Sequence, residues 1–285
     1  MSMKVLSLFD GIGCARLALE RASIKIDKYY SSEVKLSAIK VLDYHYNDIV
    51  HLGDVNNYND WKIENVDIIV GGSPCQDLSI ANKRRKGLNG DRSSLFYKFA
   101  DCLKKFNPKY FLLENNSSMS AKDKQEISKV LGVEPIEINS DLVSAQTRKR
   151  LYWTNIPNIT QPKDKNILLK DIIDKDRKWF DILPCFFKKW QNTDRIKLIG
   201  KITRNKSYTL TTKKCHTTNY YLSEDETKMT NLDIHEWEKL QTLPVGYTDC
   251  GINYGERFDL VGNAWTVDVI AHIFSFIPTN PPTRR

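Results

Sequence analysis

The chain has 285 residues, 41% apolar and 27% charged, enough for one large core or a core with an appended module. No run reaches the ~20 apolar residues of a membrane-spanning helix, and Val5–Phe9 is too short for a secretion signal, so the expectation is an intracellular chain with no membrane partner. The net charge of +8 suits a polyanionic partner without requiring one, and six scattered cysteines with no C-x-x-C pair argue against a metal site or disulfide framework.

In chain order, Lys4–Phe9 reads as a strand that turns through Gly11-Ile12-Gly13 into a helix over Ala15–Ala22. Asp27–Ser32 reads as the second strand and Ser37–Tyr46 as the second helix, with His51–Leu52 leading to an acidic turn at Asp54. Val66–Val70 is a short apolar strand running into Gly71-Gly72-Ser73-Pro74. Leu95–Phe106 is helical, Tyr110–Leu113 is a strand and Lys122–Leu131 is a helix. Gln146–Arg150 then leads into the apolar strand Leu151–Trp153. Alternating strands and helices predict an α/β fold with a doubly wound, mostly parallel, Rossmann-like sheet.

From residue 158 the periodicity weakens and Lys, Thr, Asn and aromatics accumulate. Helical patterns return over Asp233–Leu243 and Trp265–Phe276. The expected layout is a catalytic and cofactor-binding domain over 1–157 and a small target-recognition module over 158–235. A segment over 236–277 rejoins the first domain, and 278–285 is a tail.

Four places carry chemistry. Glycines 11 and 13 sit where strand one meets helix one, a turn that lets backbone approach a ligand and also serves as a plain tight turn. Glu33 and Asp54 follow the next two strands, where carboxylates can accept from ribose hydroxyls and an adenine amine, or can be solvated surface acids. Cys75 follows Pro74 at the end of an apolar strand, as a loop nucleophile or a buried thiol. Glu114 would project from the same sheet edge, and strand alternation puts Arg148 and Arg150 on one face, as site residues or as a solvated basic run.

Together, Phe9-Asp10-Gly11-Ile12-Gly13, Ser32-Glu33, Gly53-Asp54-Val55, Gly72-Ser73-Pro74-Cys75, Glu114-Asn115, Gln146-Thr147-Arg148-Lys149-Arg150 and Gly262-Asn263-Ala264-Trp265 resemble the cytosine-5 DNA methyltransferase family, in its unpermuted order. Within it the likeness is closest to the catalytic domain of the animal de novo enzymes, through Val5–Ile12, Gly71–Cys75, Asp77–Ile80 and Arg85–Leu88. The resemblance implies an S-adenosylmethionine pocket, releasing S-adenosylhomocysteine, lined by Phe9, Asp10, Gly11, Ile12, Gly13, Glu33, Val34, Asp54, Val55, Pro74, Leu95, Asn263, Ala264 and Trp265. It implies that Cys75 adds to carbon 6 of a cytosine extruded from double-stranded DNA. Glu114 then holds ring nitrogen 3 and the exocyclic amine by sharing a proton, with Arg148 and Arg150 as the arginine pair and Arg150 nearer the base carbonyl.

The loop 76–90 would close over the base. Ile80 or Ala81 would fill the gap in the stack, with Lys83, Arg84, Arg85 and Lys86 at phosphates. Thr209–Lys213 resembles a short base-reading segment, which makes Lys213 a base reader or a phosphate contact, alongside Lys214 and Arg204. Asn116 departs from the family's Glu-Asn-Val motif. A tRNA cytosine-5 methyltransferase of the same fold is the first alternative, though the Cys-Phe-Thr signature of that branch is absent between 158 and 240. A catalytically inactive regulatory homologue is the second. The absence of an accessory reader domain points to a bacterial, phage or viral restriction–modification type of enzyme, and the expected location is a prokaryotic cytoplasm, a virus-infected cell or a nucleus.

Overall fold

A computed structural model describes residues 2–74, 95–174, 176–181, 200–201, 205–212, 220–223 and 227–278. The chain forms two compact units. The first is Met1–Ile138, Lys149–Gln161 and Val267–Arg285, and the second is Asn139–Arg148 and Pro162–Thr266. This corrects the expected boundaries: the chain rejoins the first unit only at Val267, and residues 236–266 belong to the second. No helix among the described residues is long and apolar enough to cross a membrane.

The first unit is built on a seven-stranded sheet: β1 (Ser2–Leu8), β2 (Lys25–Ser32), β3 (Ile49–His51), β4 (Ile68–Gly72), β5 (Tyr110–Asn116), β6 (Ile136–Asn139) and β7 (Lys149–Thr154). The order across the sheet is β3-β2-β1-β4-β5-β7-β6, with β1 to β5 paired in parallel and β7 antiparallel to β5. Central parallel strands are covered on both faces, which is why Val5, Leu6, Leu8, Ile68, Ile69 and Val70 are all buried, and the polar Ser7 between them as well. Gly71 has no room for a side chain, since a Cβ there would lie 2.9 Å from the Leu8 carbonyl oxygen and 3.1 Å from the Phe99 ring.

Helices α1 (Cys14–Arg21), α2 (Leu36–His45), α3 (Leu95–Phe106) and α4 (Ala121–Leu131) follow the strands. In α3 the buried Phe96, Phe99, Ala100 and Cys102 form one stripe against the sheet core of Leu8, Ile69, Leu113 and Trp153. β1 has neighbours on both sides that continue in opposite directions across the sheet, so the carboxyl ends of β1 and β4 mark the switch point where ligands bind in such sheets.

The second unit carries the short helix α5 (Leu169–Ile172), strands β8 (Phe180–Asp181), β9 (Gly200–Lys201), β10 (Tyr220–Leu222) and β11 (Lys228–Asn231), and helices α6 (Ile234–Leu240) and α7 (Tyr254–Asn263). Its strands form a second sheet in the order β8-β11-β10-β9. A Ser/Asp-type capping box starts α6, where Asp233 accepts from the Glu236 amide at 2.8 Å and Glu236 accepts from the Asp233 amide at 2.8 Å. The last helix, α8 (Val267–Phe274), belongs to the first unit and packs on α1, with Arg21 and Asp268 ion-paired at 2.6 Å. Trp265, expected inside that helix, precedes it.

Candidate active site

Register fixes which residues share one sheet edge. Leu8 pairs with Ser32 on one side and Gly71 on the other, and Gly72 pairs with Glu114. The turn after β1, the residue after β2, the segment after β4 and the end of β5 therefore emerge together.

At the first of these, Phe9, Gly11 and Gly13 all take positive φ, at 56°, 60° and 78°. Glycine adopts this freely; an aromatic residue there is strained, a feature found where a backbone is held for function. The Gly11 amide donates to Glu33 Oε2 at 2.8 Å, and the Val34 and Lys35 amides donate to Glu33 Oε1 at 2.8 Å each. Three backbone donors thus orient one carboxylate beside a residue with no Cβ. Val34, next to it, leaves an apolar side chain 65% exposed. Ser32 Oγ donates to the Gly53 carbonyl at 2.8 Å and so fixes the approach to Asp54. Asp54 Oδ1 accepts from the Asn56 amide at 2.9 Å, capping a 3-10 turn over Val55–Asp60, while the carboxylate stays exposed. Ile12 and Val55 are buried beneath this edge, and Leu95 opens α3 half-buried against the core.

Asp10 faces inward instead. Its Oδ1 accepts from Ser7 Oγ at 2.6 Å and the Tyr29 hydroxyl at 2.8 Å, and its Oδ2 is buried without a hydrogen bond. Burial pushes its pKa up to about 6, and the negative Glu33 adds to the rise, while the Ser7 and Tyr29 hydrogen bonds pull it back.

Across the edge, Glu114 Oε1 is ion-paired with Arg150 Nε at 2.8 Å, both side chains 12% exposed. Antiparallel pairing of β5 with β7 sets Asn116 opposite Arg150 and so brings Arg150 diagonally to Glu114. The neighbouring Asn115, 1% exposed, sends its Nδ2 to the Ser73 carbonyl at 3.2 Å and Ser73 Oγ at 3.1 Å. Asn115 therefore ties β5 to the last residues before Pro74, a role its motif position alone did not disclose. Asn116, in place of the family's valine, uses its Oδ1 to accept from the Ser118 amide at 3.0 Å.

Arg148 does not join Arg150. β7 begins at Lys149, so strand alternation does not reach Arg148; its side chain is buried and donates to the Leu210, Gly262 and Ala264 carbonyls at 3.1, 3.1 and 3.0 Å. The expectation that strand alternation puts both arginines on one face is corrected accordingly. In the second unit Asn263 is exposed, with Nδ2 donating to the Asp259 carbonyl at 3.0 Å, while Ala264 is buried and Trp265 half-buried. Cys75, Ile80, Ala81, Lys83, Arg84, Arg85, Lys86, Arg204, Lys213 and Lys214 lie outside the described residues. Among the described residues no group of three or more His, Cys, Asp or Glu side chains could hold a metal ion.

The family model described as "C-5 cytosine-specific DNA methylase" matches residues 3–153, which contain the whole Glu33, Asp54, Pro74, Glu114 and Arg150 edge. The chain belongs to the C-5 cytosine-specific DNA methylase family. Among its relatives, an orphan methyltransferase, M.Rho11sI, of Bacillus phage rho11s is 29% identical over 273 residues, covering 90% of this chain and 52% of that protein. The type II methyltransferase M1.ScrFI of Lactococcus lactis subsp. cremoris is 35% identical over 159 residues, covering 52% of this chain and 40% of that one. The chain thus spans about half or less of these curated relatives. The crystal structure of S. pombe Dnmt2 methyltransferase superposes with a TM-score of 0.71 at 16% identity, over 96% of this chain and 98% of that one. That likeness establishes the methyltransferase fold, including its mostly parallel seven-stranded sheet.

Proposed function

We propose that the chain is the catalytic core of a DNA (cytosine-5-)-methyltransferase that modifies a cytosine flipped out of double-stranded DNA. The observation that carries this reading is the Glu114–Arg150 ion pair at 2.8 Å, held at the same sheet edge as the Asn115-anchored segment that ends at Pro74. A fixed carboxyl and a guanidinium side by side suit a pyrimidine edge that offers a ring nitrogen, an amine and a carbonyl.

In this reading Cys75, one residue past Pro74, adds as thiolate to ring carbon 6. Glu114 shares a proton with ring nitrogen 3, and Arg150 holds Glu114 in line and faces the base carbonyl oxygen. Electron density is thereby pushed to carbon 5. Bound S-adenosylmethionine supplies the methyl group there. Loss of the carbon-5 proton then returns the electron pair to the ring and expels Cys75. Glu33, fixed by three amides, would hold the two ribose hydroxyls, Asp54 the adenine amine, and the exposed Val34 the adenine face, with Gly11 leaving space for the ligand. Asn263, Ala264 and Trp265 are assigned to the same cofactor from their motif. The buried carboxyl of Asp10 supports the loop from behind. Positively charged residues outside the described segments, Lys83 to Lys86 with Arg204, Lys213 and Lys214, are the proposed DNA contacts.

The test is a duplex carrying 5-fluorocytosine. Fluorine cannot leave as the proton does, so wild type with S-adenosylmethionine should form a covalent complex that survives denaturing electrophoresis. Cys75→Ser should form none while still binding cofactor, because a serine hydroxyl is far less ionised than a thiol. Methyl transfer to duplex DNA without any such complex would sink the covalent mechanism, and transfer to tRNA in preference to DNA would move the substrate to the alternative reading.

A further inference from the structure

Arg148 lies at the middle of a buried joint within the second unit. One arm of its guanidinium, Nη1, donates to the Leu210 carbonyl at 3.1 Å; the other, Nη2, donates to the Gly262 and Ala264 carbonyls at 3.1 and 3.0 Å. The Leu210 peptide is gripped from its other end as well, since its amide donates to Gln146 Oε1 at 2.8 Å. Gln241 adds a second hold on the far side, with Nε2 donating to the Val261 and Ala264 carbonyls at 3.0 Å each. Independently of these bonds, a Cβ built on Gly262 would lie 2.6 Å from the Thr211 carbonyl oxygen. The two backbones touch, and only glycine permits it.

Taken together, the segment Tyr208–Thr212 and the turn Gly262–Trp265 are braced against each other directly through Arg148, and a second time through Gln146, whose Nε2 donates to Gln241 Oε1 at 3.3 Å. A guanidinium suits the place because its donors are rigidly forked and its charge is permanent, so it can serve carbonyls on two segments at once. A lysine ammonium, a compact point charge on a flexible stem, cannot reproduce that fork. Buried carbonyls left without their donor must either move or go unsatisfied.

We propose that Arg148 is a positioning residue that couples the cofactor turn to the recognition segment, so that cofactor affinity and discrimination among bases flanking the target cytosine depend on the same side chain. This rests on the proposed function, which assigns Asn263, Ala264 and Trp265 to S-adenosylmethionine and Lys213, the residue after Thr212, to DNA contact.

The experiment uses Arg148→Lys and, as an independent wedge in the same joint, Gly262→Ala, in the full chain. Three quantities are read: calorimetric affinity for S-adenosylhomocysteine without DNA, kcat and KM for S-adenosylmethionine, and the methylation profile over duplexes with random flanks. Both variants should weaken S-adenosylhomocysteine binding on the order of tenfold, as expected when buried hydrogen bonds to charge are lost. The flank profile should change shape in the same variants, and KM for S-adenosylmethionine should rise by more than kcat falls, the pattern of lost binding rather than lost chemistry. A fallen kcat with unchanged binary affinity would make Arg148 a base contact and overturn the proposal. Weakened cofactor binding with a flank profile that only scales down would overturn the coupling. If Arg148→Lys does not fold, Gly262→Ala decides by the same criteria. Wild type that binds no S-adenosylhomocysteine would instead defeat the proposed function.

Discussion

At the glycine loop of the first unit a side chain is held by backbone, whereas at Gln146–Arg148 of the second unit backbone is held by side chains. Glu33 takes its orientation from the amides of Gly11, Val34 and Lys35, groups that every non-proline residue supplies. The segment around Leu210 takes its position from Gln146, and the turn at Gly262–Ala264 from Arg148 and Gln241, each a particular side chain whose length and polar end meet those groups. The first arrangement needs a sheet, a glycine and a carboxylate. The second needs long polar side chains buried in register with distant carbonyls, and it fails when any one of them is shortened.

The largest difference between the units should appear at Glu238. This carboxylate is fully buried and accepts from the Thr248 amide at 2.9 Å, Thr248 Oγ1 at 2.6 Å and the Gly246 amide at 2.6 Å, with Arg257 Nη2 at 3.4 Å. Burial alone would raise its pKa, but the Thr248, Gly246 and His235 hydrogen bonds outweigh it and hold it below the ordinary glutamate value. The stability it contributes is therefore present above the unfolded pKa and lost as pH falls through the lower folded one. Glu238→Ala leaves the Thr248 and Gly246 donors buried without their acceptor and leaves Arg257 only the exposed Asp249 as a carboxylate partner, and should cost about 3–5 kcal/mol. Urea unfolding of both proteins at pH 7 measures this. A loss below about 1 kcal/mol would mean water replaces the carboxylate and the second unit does not depend on its side chains as described.

Asp10 should behave in the opposite sense. Its folded pKa of about 6 lies above the ordinary aspartate value, so its favourable contribution is complete below the unfolded pKa and disappears as pH rises through about 6. Above that, a buried charge with one unsatisfied oxygen costs on the order of 3 kcal/mol. Asp10→Asn keeps the oxygen that accepts from Ser7 and Tyr29 and removes the charge. The variant should melt higher than wild type at pH 8, by an amount equivalent to about 1–3 kcal/mol, with the gap narrowing as pH falls through about 6 and closing only below the unfolded aspartate pKa. A gap that does not change between pH 5 and pH 8 would rule out titration of Asp10 as its source.

The same division explains what could be read from the sequence. Apolar runs of strand length, each followed by a helical period, disclosed β1, β2, β4 and β5 and placed Glu33, Asp54, Pro74 and Glu114 at strand ends, because sheet periodicity is local. Helix α7 was missed: Gly255 and Gly262 interrupt its pattern, and its start depends on Asn253 Oδ1 accepting from the Gly255 amide at 2.8 Å. β6 and the two- to four-residue strands β8 to β11 were missed because pieces so short carry too few residues to show a period and acquire strand geometry from their partners. Arg148 looked equivalent to Arg150 two residues on. Its carbonyl partners are 62, 114 and 116 residues away, beyond anything a local pattern encodes.

The smallest expected effect tests the first unit on its own terms. Helix α4 opens at Ser120, whose Oγ accepts from the Asp123 amide at 3.1 Å and donates to Asp123 Oδ2 at 2.7 Å, and closes at Gly132 with φ 71°. The Ser120–Asp123 cap lies within one turn of chain, so only one of the helix's free amides loses its partner when the hydroxyl is removed. Ser120→Ala should cost about 1 kcal/mol, and Ser120→Asp, which preserves an acceptor next to a helix N-terminus, a few tenths. Thermal denaturation gives the totals, and amide exchange at Asp123 and Lys124 shows whether the loss stays in that turn. If Ser120→Ala instead matched Glu238→Ala, the first unit would depend on single side chains as heavily as the second. The distinction between a site held by its sheet and a joint held by its side chains would then disappear.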